Sequence, residues 1–133
     1  MLDYNSFDSK FKELVAKRPG GERALYCYQC GTCTAGCPVS SLHSEYNPRA
    51  IMRKLLLGMK DEVLSSPELW QCSQCHICVA HCPQDVRFAD VVRVLRELAL
   101  EEGYVTAEFA DQVEQLDKEI RQLRIDRIKE LSR

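Results

Sequence analysis

No apolar run in this sequence is long enough to cross a membrane. The best stretch, Ile51 to Met59, is interrupted by Arg53, Lys54 and Gly58. It falls far short of the roughly 20 residues a bilayer span needs. The opening Met1-Leu2-Asp3-Tyr4-Asn5 lacks the basic and apolar segments of a signal peptide, so a cytoplasmic chain is expected. An excess of one charge is missing too. Twenty acidic residues stand against 18 Lys and Arg, a formal net charge of −2, which provides no basic field for nucleic acid. Neither a Gly-rich dinucleotide fingerprint, a P-loop nor a nucleophile motif is present, so no active site of its own is expected. Runs of alternating apolar and polar residues with β-branched enrichment are also lacking, which leaves an all-α chain. A length of 133 residues allows one compact domain with an appended helix at either end.

What the sequence does have is eight cysteines. They fall in two sets, Cys27, Cys30, Cys33, Cys37 and Cys72, Cys75, Cys78, Cys82, each spaced C-x2-C-x2-C-x3-C and each followed by proline, Pro38 and Pro83. The sets are offset by 45 residues throughout, and Gln29 with Gln74 and Ala35 with Ala80 keep that offset. The sequence is therefore built on an internal repeat. In a reducing compartment such thiols read as metal ligands before disulfides.

Helical signals surround the repeat. Phe7, Phe11, Leu14 and Val15 mark one face of a helix that stops at Pro19-Gly20-Gly21. Asn47-Pro48 is a cap followed by a first-turn proline, with Ile51, Met52, Leu55 and Leu56 as the buried face and Gly58 as the stop. Ser66-Pro67 starts a short helix carrying Leu69 and Trp70 toward Cys72. Asp85 is expected to cap a helix with Phe88, Val91, Val92, Leu95, Leu98 and Ala99 on one side, ending near Gly103. A last helix begins at Thr106. Its seam, Phe109, Val113, Leu116, Ile120 and Leu123, has coiled-coil spacing. That helix either packs on its own domain or docks a partner protein. The expected organisation is an N-terminal amphipathic helix over 1–21, a two-cluster domain over 22–103 and a C-terminal helix over 104–133.

The spacing carries the chemistry. C-x2-C-x2-C wraps three thiolates around one [4Fe–4S] cube, and in the bacterial two-cluster pattern the fourth cysteine of each run serves the other cube. Cluster one then takes Cys27, Cys30, Cys33 and Cys82; cluster two takes Cys72, Cys75, Cys78 and Cys37. The following proline keeps each fourth cysteine out of a helix. Two oxidised cubes at −2 each bring the formal charge to about −6. Gly31 and Thr32 in run one face His76 and Ile77 in run two, so unequal cluster potentials are expected. Zinc competes as a reading, but it needs only two cysteine pairs per site and asks for neither the third cysteine nor the proline. Cys72-Ser73-Gln74-Cys75-His76 matches the haem-attachment pattern C-x-x-C-H, yet Gly31 stands at the matching place in run one. His81 is expected near the clusters or at the surface, and His43 in a loop. Arg49, Arg53 and Lys54 form either a solvated face or a cationic patch. Trp70 is expected to pack over cluster two.

The stretch from Cys27 to Pro38, Asn47-Pro48-Arg49, and Leu69-Trp70 through Cys72 to Pro83 closely resembles the family of heterodisulfide reductase C subunits, an α-helical ferredoxin family. The resemblance covers residues 22–103. It implies two [4Fe–4S] clusters on the eight cysteines. It also implies a relay in a hetero-oligomeric complex, between a flavin-containing subunit and a catalytic subunit with Cys-Cys-Gly motifs, in some cases with electron bifurcation. This chain has no Cys-Cys pair, so disulfide reduction is not expected of it. The alternative is a free ferredoxin-like carrier without permanent partners.

Overall fold

The computed structural model describes residues 4–133, and every described element is helical. Nine α-helices follow in order: α1 (Phe11–Ala16), α2 (Thr32–Ala35), α3 (Pro38–Leu42), α4 (Pro48–Leu57), α5 (Lys60–Leu64), α6 (Glu68–Gln71), α7 (Ile77–His81), α8 (Phe88–Glu101) and α9 (Ala107–Leu131). Short 3-10 turns occupy Tyr4–Ser6 and Ala24–Tyr26.

The core is built around α8. Phe88, Ala89, Val91, Val92, Val94, Leu95, Leu98 and Ala99 are all buried, so apolar residues cover most of its circumference. Helices α1, α5, α6 and α7 all pack against it. Phe11 and Val15 of α1, Met52 and Leu55 of α4, Val63 and Leu64 of α5, and Leu69 of α6 complete one apolar cluster. A helix apolar on nearly every side is stable only when others surround it.

Helix α4 forms as its sequence signals dictate. Asn47 caps it by accepting from the Ala50 amide at 3.0 Å, Pro48 occupies the first turn, and Gly58 stops it at φ 81°. Gly58 is required twice over, because a Cβ there would lie 2.3 Å from the Asp8 carbonyl. Two expectations need correction. Phe7 lies outside α1, which begins at Phe11, and its ring meets Tyr4 edge-on instead. Asp85 does not cap α8: the cap position is Arg87, and both residues are left-handed, at φ 51° and 62°. The negative charge favoured at a helix start comes from buried Asp90, held by Arg87 at 2.6 Å.

Thr106 caps α9 by accepting from the Phe109 amide at 3.2 Å. No α9 residue is buried, and every residue from Lys118 onward is exposed. Phe109 touches Trp70 edge-on at 5.2 Å, while Leu116, Ile120 and Leu123 stay more than half exposed. The seam is therefore not covered by its own domain. At 1.5 Å per residue the helix is about 37 Å long. Among the described residues no helix is long and apolar enough to cross a membrane.

Candidate metal centre

The internal repeat is visible in the backbone. Each run opens on an extended cysteine, Cys27 (φ −66°, ψ 116°) or Cys72 (φ −59°, ψ 120°). Two left-handed residues follow: Gln29 and Gly31 in the first run, Gln74 and His76 in the second. The third cysteine sits in a short helix, Cys33 in α2 and Cys78 in α7, and these two helices pack together. The fourth is extended again, with ψ 122° at Cys37 and 119° at Cys82, as a following proline demands. Left-handed backbone suits Gly31. At Gln29, Gln74 and His76 it is uncommon.

Donors to sulfur repeat as well. Gln29 Nε2 donates to Cys27 Sγ and Gln74 Nε2 to Cys72 Sγ, each at 3.4 Å. The Val86 amide donates to Cys82 Sγ at 3.4 Å, and Cys30 Sγ is hydrogen-bonded to the Thr32 hydroxyl at 3.3 Å.

All eight thiols are free, and they line two adjoining cavities. The first is walled by Cys27, Cys30, Cys33, Cys78 and Cys82. The second is walled by Cys33, Cys37, Cys72, Cys75 and Cys78. Each run thus sends its fourth cysteine into the cavity of the other. Among the described residues no three His, Cys, Asp or Glu side chains converge closely enough to hold a single metal ion. The thiols instead surround volumes, an arrangement that fits a polynuclear group.

Electrostatics agrees with that fit. Burial pushes the Cys33 thiol up and the Cys78 thiol up to about 11, so neither favours a free thiolate. A metal ligand must be deprotonated, and iron bound there would supply the charge that burial withholds. Cys30 is held down, chiefly by the Thr32 hydroxyl.

The remaining residues divide. Arg49 lines the first cavity beside Gly31, and Arg53 lines an adjoining groove. Lys54 turns away to Glu62 at 3.5 Å. His76 lines the second cavity; His81 and His43 are exposed. Trp70 packs on the core, but it does not line the second cavity; its ring lies between Phe109 and the Arg96 guanidinium, 5.2 Å from each. The aromatics in that wall are Phe88 and Tyr46; Tyr46 is 1% exposed, and its hydroxyl is buried without a conventional partner and lies near Cys72. Tyr46 and Arg96 carry no periodic or spacing signal. Only the internal offset, which singles out Gln29 and Gln74, marks any of these helpers in the sequence.

The fold and the paired cavities define a helical iron–sulfur protein with two cluster sites. The family described as a 4Fe-4S dicluster domain matches residues 26–87. The C subunit of an H(2):CoB-CoM heterodisulfide,ferredoxin reductase from Methanothermobacter thermautotrophicus is 42% identical over 100 residues, 75% of this chain and 53% of the relative. The iron-sulfur C subunit of the CoB--CoM heterodisulfide reductase of Methanopyrus kandleri is 51% identical over 79 residues, covering 59% of this chain and 41% of its own length. An Archaeoglobus profundus protein, named as like the heterodisulfide reductase C subunit, is 36% identical over 88 residues, 66% of this chain and 47% of its own. The chain spans about half the length of the curated relatives it matches. It is similar to heterodisulfide reductase C subunits at 36–51% identity and carries two [4Fe–4S] clusters.

Proposed function

We propose that the chain is the electron-transfer subunit of a heterodisulfide reductase-like complex. The observation that carries this reading is the exchange of Cys37 and Cys82 between two cavities that share Cys33 and Cys78 as walls. Cys27, Cys30, Cys33 and Cys82 would hold one cluster; Cys72, Cys75, Cys78 and Cys37 would hold the other. A [4Fe–4S] cluster supplies one-electron storage and transfer. The protein's own residues keep the sulfurs in place: Gln29 and Gln74 donate to the first thiolate of each run, and Val86 donates to Cys82.

The partners in this reading are a flavin-containing subunit and a catalytic subunit with Cys-Cys-Gly motifs, in the cytoplasm. The names of the relatives, each a lettered subunit of a reductase, support a hetero-oligomer. The Methanothermobacter name pairs a heterodisulfide with a ferredoxin, which supports a complex that divides electrons between two acceptors. The exposed seam of α9 offers a docking surface for one of these partners.

Anaerobic purification of the tagged chain from its native host tests the reading. About eight irons per chain are expected, together with a flavoprotein and a Cys-Cys-Gly protein. A fully loaded chain that purifies alone would instead support the free carrier.

A further inference from the structure

Cys72 and Cys27 hold the same place in the repeat but not the same surroundings. Beside Cys72 lies Arg96 of α8, half-buried. Its Nε donates to the Leu69 carbonyl at 3.0 Å, one terminal nitrogen donates to the Cys72 carbonyl at 2.9 Å, and its face rests on Trp70. None of the ion pairs among the described residues includes it. Burial disfavours its charge; Cys72 offsets this most, and Asp117 acts only from beyond contact. A guanidinium withdrawn from water without a carboxylate is costly unless a nearby negative charge compensates it. Tyr46 adds a second unmatched group beside the same residue: its hydroxyl is buried, has no conventional partner, and Tyr46 lines the second cavity together with Cys72.

The first run has no buried equivalent. Arg49 lines its cavity beside Gly31 but is exposed, and Arg23 is exposed and engaged elsewhere. It donates to the Gln84 carbonyl at 3.0 and 3.2 Å, covers Tyr26, and stands 3.8 Å from Asp85. Only the glutamine donor is common to both runs.

We propose that Arg96 and Tyr46 set the reduction potential of the second cluster, by holding an otherwise unpaired cation on the Cys72 main chain and a buried hydroxyl in the wall of the second cavity. This rests on the reading that Cys72 is a ligand of that cluster. Reduction adds one electron, so the reduced state is more negative by one charge. A fixed cation and a hydrogen-bond donor favour that state more than the oxidised one and raise the potential. Arg96 and Tyr46 are positioning residues: they act through Cys72.

The test is an anaerobic redox titration of the loaded full chain, followed by electron paramagnetic resonance. The second-cluster signal is assigned as the one perturbed in Cys75→Ala. In Arg96→Gln that signal should move to lower potential, with the electron's partition onto it falling on the order of tenfold, about 59 mV for one electron. Tyr46→Phe keeps the ring and should shift the same signal in the same direction. Arg96→Lys, which restores the charge, should recover part of the loss. Arg93→Gln, an exposed arginine on the same helix, should leave both signals in place. If Arg96→Gln fails to load, Tyr46→Phe decides. Unchanged potentials at full iron content, or equal shifts of both clusters, would overturn the tuning role and leave the cluster assignment standing. A wild-type chain without two clusters would instead overturn the reading beneath it.

Discussion

Gln29 and Gln74, 45 positions apart, share a left-handed backbone, and each donates its side-chain amide to the first cysteine sulfur of its own run at 3.4 Å. A duplicated hydrogen bond of this kind makes the two halves chemically alike at their centre. Differences between the clusters must then come from what surrounds them.

The exchange of fourth ligands is open to a direct test. Cys82→Ala should damage the cluster centred on run one, and Cys37→Ala the cluster centred on run two. Each variant should keep the other cluster. Magnetic spectroscopy of both variants, with iron counted, reads this. Loss of the run-two signal in Cys82→Ala would refute the exchange.

Two glycines separate crowding from backbone strain. A Cβ at Gly21 would stand 2.1 Å from the Val15 carbonyl, and main chain cannot yield as a side-chain tip can. Gly103 lies at φ +77° with nothing within 4 Å of its Cβ. Gly21→Ala should cost roughly 2–4 kcal/mol. It should also disturb the turn that leads to Cys27. Gly103→Ala should cost about 1 kcal/mol, the left-handed penalty alone. Denaturant unfolding of the loaded proteins compares them. Equal losses would contradict the crowding argument.

Tyr104 donates its hydroxyl to Asp61, tying the end of α8 to α5. That bond, with burial and the carboxylate's charge, raises the phenol to about 12. A group whose folded value lies above its ordinary value of 10 stabilises the fold fully below pH 10. That contribution is lost as pH climbs from 10 through 12. The effect is modest because the hydroxyl is largely solvent-facing. The difference between wild type and Tyr104→Phe in a tyrosinate absorbance titration should show one phenol ionising near 12. Ionisation near 10 would contradict the Asp61 bond.

The outer part of α9 should be dispensable for folding and needed for assembly. Residues from Lys118 onward are exposed, whereas Phe109 touches Trp70. A chain ending at Asp117 should melt as the full chain does, hold the same iron and lose its partners on purification. A fall in melting temperature by several degrees would mean that α9 supports its own domain after all.

Much of this protein is written locally. The two cysteine runs announce their chemistry because a cube needs thiolates at short fixed separations along the chain. Asn47, Pro48, Gly58 and Thr106 announce helix ends because caps are short-range contacts. The short helices α2, α3, α5 and α7 show no period to read, since four or five residues scarcely complete a turn. Asp85 misleads because a left-handed backbone there, and not a side-chain cap, delivers the chain into α8.

The sequence by itself determined the metal and the number of clusters, because ligand spacing is a property of the covalent chain. Only the tertiary structure decided what stands beside the cysteines. Tyr46 and Arg96 reach Cys72 from distant points in the sequence, brought there by the packing of helices around α8. The same packing leaves the α9 seam exposed, because the core is complete before that helix begins.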